Sequence, residues 1–257
     1  MSALDFSGGI VPQPATNRFY NFTFPALPNG DWCIGFWTTL NNISTGAYEV
    51  AFSPAGIVST TVPGVTLYMD GAGGAGASAL TAASYGTGST FGTYLSYSPT
   101  FSGQNEFIVI QRRGANMEYY VVDKGVTVSA PTASGPFQGT TIPQVASSFI
   151  GDATPNGAAS PNQGWINPLG EFFILNNLSL TAAQVTQLAV GYSITTVASP
   201  YVYLPFRNGA VATETNLGTG GSTYNATISG SGFTTGPDFF AAASSGANPL
   251  RVTFGLF

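Results

Sequence analysis

The sequence predicts an all-β protein, an antiparallel β-sandwich with one short helix at about residues 181–190. Short apolar runs of strand length recur from end to end, many of them alternating. Gly, Asn, Asp and Pro punctuate these runs at the spacing of a meander. Only one stretch, NNLSLTAAQVTQLAVG (176–191), carries helical periodicity behind a complete start signal.

The elements follow in order. Residues 1–20 read as an extended arm, because Pro12 and Pro14 discourage regular structure and Gly8-Gly9 loosens it. FYNFTF (19–24) alternates as a first strand. In DWCIGFWTTL (31–40), Trp32, Ile34 and Phe36 face one way and Cys33 and Trp37 the other, the pattern of a central strand covered on both sides. YEVAFSP (48–54) and VTLYMD (65–70) continue the meander, and residues 71–90 (GAGGAGASALTAASYGTGST) read as a low-complexity loop. That loop lacks the Gly-Lys-Ser/Thr ending of a phosphate-binding loop. EFIVIQRR (106–113) turns through Gly114-Ala115-Asn116 into MEYYVVD (117–123), and Asp123-Lys124-Gly125 turns the chain into VTVSA. SFIGD (148–152), GEFFILN (170–176), SPYVYLPFRNG (199–209), TYNATISGSG (223–232) and PLRVTFGLF (249–257) supply further strands.

The helix is specified locally. Thr181 is the N-cap and Gln184 completes a capping box, each side chain meeting the other residue's backbone N–H. Leu180 and Val185 form a hydrophobic staple, Val185, Leu188 and Ala189 share a face, and Gly191 stops the helix. No repeat or composition break divides residues 21–257, which read as a single domain.

Composition narrows the function. Of 257 residues 44% are hydrophobic and only 7% charged, against about 25% charged in ordinary domains; small polar residues fill the difference, so the chain folds. Net charge is −5, and the basic residues are Arg18, Arg112, Arg113, Lys124, Arg207 and Arg251. No cationic stripe exists to neutralise a phosphate backbone, so a nucleic-acid partner is not expected. Nor is a membrane, since no apolar run approaches the ~20 residues of a spanning helix. MSALDFSGGIVPQP lacks the basic and apolar regions of a Sec signal. An extracellular-type composition without an export signal fits a virus particle component released by lysis, and equally a processed chain or an unusual secretion route.

The run GDWCIGFWTTL, YEVAFSP, VTLYMD, NEFIVIQRRG, MEYYVVDKG, FIGD and GEFFILNNLSLTAAQVTQLAVG resembles a laminin-G-like jelly roll of the concanavalin-A-like lectin/glucanase superfamily. The residues that carry the likeness are Trp37, Tyr120 through Gly125, Ile150-Gly151 and Glu171 through Leu188, over roughly residues 20–195. The resemblance implies that the helix is that family's single helix, lying against the sandwich. Residues 201–239, YVYLPFRNGAVATETNLGTGGSTYNATISGSGFTTGPDF, also resemble the segment that follows the helix in laminin-G-like proteins of phages and prophages.

No histidine is present, which removes Ser-His-Asp and Cys-His catalysis and histidine-ligated metals. Cys33, the lone cysteine, reads as a buried structural thiol. A retaining glycosidase needs two carboxyls about 5–5.5 Å apart, and the superfamily's glucanases present them at Glu-x-Asp-x-Glu spacing on one strand face. No such run occurs; Glu118 and Asp123 fall on opposite faces of one strand, and a pair assembled from separate strands stays open. No catalytic residue is therefore expected. Calcium, common in the superfamily, would find oxygen ligands at Asp70 and Asp152, with Asp123 disfavoured by Lys124; the competing reading is that these residues make turns. For a glycan, Trp165 in NQGWINP leads the aromatic platforms, with Tyr85, Tyr94, Tyr97 and Tyr224, against the alternative that these rings pack on the sandwich.

The expectation is a non-enzymatic structural surface protein of a phage virion, a head-decoration or fibre-type component. It would be a homo-oligomer that contacts virion proteins such as the major capsid protein, and a binder of surface glycans. A lectin of a bacterial surface is the alternative, and a glycoside hydrolase the third.

Overall fold

The computed structural model describes residues 4–5, 19–40, 48–54, 63–70, 79–85, 91–98, 103–137, 139, 141–151, 165, 167–207, 211–229, 234–235 and 239. Among these the strands are β1 (Leu4–Asp5), β2 (Phe19–Phe24), β3 (Trp32–Thr39), β4 (Tyr48–Ser53), β5 (Gly64–Asp70), β6 (Ala79–Tyr85), β7 (Phe91–Tyr97), β8 (Asn105–Arg113), β9 (Asn116–Asp123), β10 (Ala133–Pro136), β11 (Val145–Ile150), β12 (Leu169–Asn176), β13 (Val202–Leu204), β14 (Thr213–Glu214), β15 (Ala226–Ser229) and β16 (Thr234–Thr235). The helices are α1 (Ala182–Ala189) and the single turn α2 (Ile194–Val197). The strands build two antiparallel sheets, ordered β10-β9-β8-β3-β12-β1-β16, with β13 also on β12, and β14-β15-β2-β11-β4-β5-β6-β7. The predicted all-β sandwich is the observed one.

Alternation explains the layering. Trp32, Ile34 and Phe36 of β3 enter the main core with Ile108, Ile110, Phe172 and Ile174 from their neighbours, facing Phe22, Phe24, Phe52, Leu67 and Leu80 of the second sheet. Cys33 and Trp37 point the other way, into a second core with Phe107, Val109, Tyr120, Phe173 and Leu175. That outer face is covered by α1, whose Val185, Leu188 and Ala189 are buried in it. Each fully buried aliphatic side chain stabilises the contact by about 2 kcal/mol. The first sheet is thus apolar on both faces, as its β3 segment predicted.

The cap is as predicted. Thr181 Oγ1 accepts from the Gln184 N–H at 3.3 Å, and Gln184 Oε1 accepts from the Thr181 N–H at 2.9 Å. Gly191 follows at φ 104. A tether fixes the helix start: Gln111 of β8 donates Nε2 to the Leu180 carbonyl at 2.9 Å and accepts the Leu180 N–H at 2.7 Å. Arg113 also donates to that carbonyl.

Three segments depart from the sequence reading. Residues 71–90 are not one loop, because Ala79–Tyr85 is β6, paired along its length with β5 and held by β7 on the other edge. The small residues of ALTAASY hide its alternation, yet Leu80 and Ala82 enter the core. VTVSA is no strand: the Val128 N–H and carbonyl bond to the Thr186 hydroxyl of α1 at 2.9 and 3.2 Å. The N-terminal segment read as an arm contributes Leu4–Asp5 to the first sheet, where Leu4 pairs with Leu169 and Thr235. PLRVTFGLF lies outside the described residues.

Candidate functional site

The aromatic candidates separate. Trp165 is 2% exposed and sits in the main core; its backbone N–H donates to the Gly151 carbonyl at 2.8 Å. A buried indole shows no ring face to solvent, so this geometry is that of loop packing. Tyr224, in a single 3-10 turn, is also buried, its ring centroid 5.1 Å and its hydroxyl 3.2 Å from those of Tyr201. Tyr97 of β7 pairs with Leu80 and packs half-buried against the main core.

Register brings Tyr85 and Tyr94 near one end of β5–β7 and leaves Asp70 at the other end of β5. Register sets Tyr85 opposite Gly64, Tyr94 opposite Ala83, and Asp70 opposite Tyr48 and Ala79, all with the parity of Tyr68 and Thr66. In these strands Val50, Tyr68 and Ala83 form a small cluster separate from the main core. The polar side chains described there are hydroxyls: Thr81 and Ser96 bond at 3.0 Å, and Thr66 donates to the Phe52 carbonyl at 2.9 Å. Asp152 lies outside the described residues.

Among the described residues three glutamates are buried, and they divide into two kinds. Glu171 occupies a bulge of β12 at φ 56, where the register with β3 slips between Gly170 and Phe173. Arg207 Nε meets its Oε1 at 2.5 Å, and Oε2 accepts from Arg207 Nη2 at 2.9 Å and from the Tyr203 hydroxyl at 2.5 Å. Close by, Glu214 Oε1 accepts the N–H of Phe206, itself at φ 52, at 2.8 Å. Burial, then the Glu171 charge, hold the Tyr203 phenol well above its usual range, so it is a poor nucleophile. This satisfied clamp fixes two strained backbone positions and ties β12 to β13.

Glu106 is the opposite case. It is 3% exposed, and its Oε2 finds no hydrogen-bond partner among the described residues. It stands directly opposite Asp123 across the β8–β9 hairpin. Burial, and then the Asp123 charge, push its carboxyl up to about 8. Tyr119, fully buried, also has an unpartnered hydroxyl among the described residues. Two carboxyls on adjacent strands are the pairing that sequence reasoning missed. The Cys33 thiol, buried as predicted, is raised well above its usual value by burial.

The surface around the helices has its own character. The large apolar side chains that stay exposed among the described residues are Val126, Leu178, Val190, Tyr192 and Leu217. Leu178 precedes α1, Val190 caps it and Tyr192 follows it. Val126 adjoins Gly125, whose N–H donates to the Ala189 carbonyl at 2.9 Å. Leu217 lines, with Thr195, Val197, Pro200 and Thr219, a shallow cavity of about 260 Å³. No charged residue occurs between Glu171 and Arg207, so neither helix carries a charged side chain.

No protein-family model matches the sequence, and no curated protein does. Solved structures do. The native heptameric SAP-like pentraxin of Limulus polyphemus is similar over 90% of this chain and 95% of its own, with a TM-score of 0.53 and 15% identity. Tailspike protein 2 of an Escherichia coli bacteriophage matches 75% of this chain and 28% of its own, with a TM-score of 0.44 and 11% identity. A pair of domains from the mouse laminin alpha-1 chain matches 68% of this chain and 46% of its own, with a TM-score of 0.40 and 13% identity. At such identities likeness speaks of architecture alone: the chain shares the two-sheet β-sandwich fold of the pentraxin.

Proposed function

We propose that the protein is a non-enzymatic structural surface protein of a bacteriophage virion, a head-decoration or fibre-type component that docks through its helix-bearing face. The carrying observation is that face, whose two helices carry no charged side chain and around which Leu178, Val190, Tyr192, Val126 and Leu217 stay exposed. Exposed apolar side chains gathered on one side favour a partner surface, and interface cores are depleted in charge. The virion setting rests on the likeness of residues 201–239 to laminin-G-like proteins of phages. Glycan binding is the second reading, favoured by the register that brings the backbones of Tyr85 and Tyr94 near one another in β6 and β7, opposite Phe91 and Ala83. Quantitative peptide mass spectrometry on particles from the lysed source culture, with capsid protein as standard, tests the assignment. A high fixed ratio to capsid is expected for a decoration protein and a few copies for a fibre; absence from particles would sink the virion reading.

A further inference from the structure

Near its β16 end the first sheet holds a strand of only two residues. β12 carries β13 over residues 172–174 of its outer edge, and past the bulge at Glu171 that edge takes β1, with Leu169 opposite Leu4. β1 pairs further with β16, Leu4 opposite Thr235 and Asp5 opposite Thr234. At the neighbouring edge of the second sheet β2 pairs with β15, Phe19 opposite Ser229. Two connections therefore join paired ends in the two sheets. Residues 230–233 lead from β15 to β16 in four residues, and residues 6–18 lead from β1 to β2 in thirteen.

The two lengths do not match. Ser229 and Thr234 are at most about 17 Å apart, and with a cross-strand step of about 5 Å at each end Asp5 and Phe19 lie within about 27 Å. The chain from Asp5 to Phe19 can reach about 48 Å. Closure within one chain leaves nearly half of that length surplus. The surplus resists being gathered in, because Pro12 and Pro14 fix their own φ and restrict Val11 and Gln13 to extended backbone.

We infer that β1 is an exchanged strand: residues 1–5 of one copy fill the edge between β12 and β16 of a second copy of this chain. Exchange keeps every strand pairing and changes only which chain supplies it, so it costs little, and it lets residues 6–18 reach outward. β16 stays with its own chain, tethered by the short connection to β15. So brief a pairing fastens copies that already meet, and the inference therefore rests on the self-association expected of the chain.

Cysteine pairs read the exchange directly. Opposed residues of an antiparallel pair hold their Cα atoms about 4.5–5.5 Å apart, within disulfide range, and adjacent pairs alternate between the two spacings. The full chain carrying Asp5→Cys is co-expressed with a differently tagged full chain carrying Thr234→Cys, oxidised mildly and run on a non-reducing gel; Cys33, being buried, is left native. A band at twice the chain mass bearing both tags is expected, lost on reduction and absent when either variant is paired with the native chain. The double variant should lose its single-chain band to covalent multiples. Leu4→Cys with Thr235→Cys repeats the test at the other spacing, should the first pair fail to close or to fold. Light scattering on the native chain separates the outcomes. An oligomer whose double variants close only within single chains, or in which neither pair closes, overturns the inference alone. A native single chain overturns it together with the self-association beneath it.

Discussion

Glu106 concentrates the chemistry that single residues carry here. Its carboxyl is held up near 8 against the ordinary 4.5, by burial first and by Asp123 second, so the folded chain binds its proton more tightly than the unfolded chain. The resulting stability is fully present below the unfolded value and is lost as pH rises through about 8. The protein should therefore melt at progressively lower temperature as pH rises across that window. Glu106→Gln should flatten the profile, leaving a residual slope of the same sign from Glu214, which burial also raises. A wild-type profile no steeper than that of the variant would refute this. The pairing was within reach of the sequence. A two-residue turn at Gly114-Ala115 sets Arg113 opposite Asn116 and hence Glu106 opposite Asp123. Placing Asn116 in the turn slips the register by one and sets Glu106 opposite Lys124, an ion pair in place of two carboxylates. Trp165 gave no such handle, because a ring in an aperiodic loop packs inward or outward without changing any local pattern.

Elements were legible where their neighbours did not have to be known. The helix declares itself through Thr181, Gln184 and Leu180, all within one turn of its start, and β3 through residues apolar on both faces. β6 did not, since Ala and Ser carry little strand propensity and the segment is a strand because β5 and β7 close on it. VTVSA failed in the reverse sense, its alternation satisfied by the Thr186 hydroxyl and not by a partner strand. Gly35 of β3 sits in a close fit within the first sheet. A Cβ there would lie 2.5 Å from Phe173 Cζ, 2.8 Å from Phe173 Cε1 and 3.2 Å from the Ile108 carbonyl oxygen. Phe173 is itself stacked on Phe107 at 6.2 Å and buried under the helix layer, so it has little room to withdraw. Gly35→Ala should destabilise the fold by about 1–3 kcal/mol, read as a lowered midpoint of urea unfolding. A midpoint equal to that of the native chain would show that the second core yields more easily than its packing implies.

At the scale of the whole molecule, the two outer faces of the sandwich differ in what they leave exposed. Strands β4–β7 bury Val50, Tyr68 and Ala83 in a small cluster apart from the main core, whereas the helix side keeps Val190 at 43% and Tyr192 at 53% exposure. If the helix side is the assembly surface, charge placed there must oppose association without touching the fold. Neither residue belongs to a core cluster, and surface changes of this kind fall within about 0.5 kcal/mol of neutral. The double variant Val190→Lys, Tyr192→Lys should therefore keep the native melting temperature while its mass by light scattering falls from oligomer toward the single chain. Occupancy on particles should fall with it. An unchanged mass in a folded variant would move the interface elsewhere, and the β4–β7 side with its hydroxyl rows would be the next surface to charge.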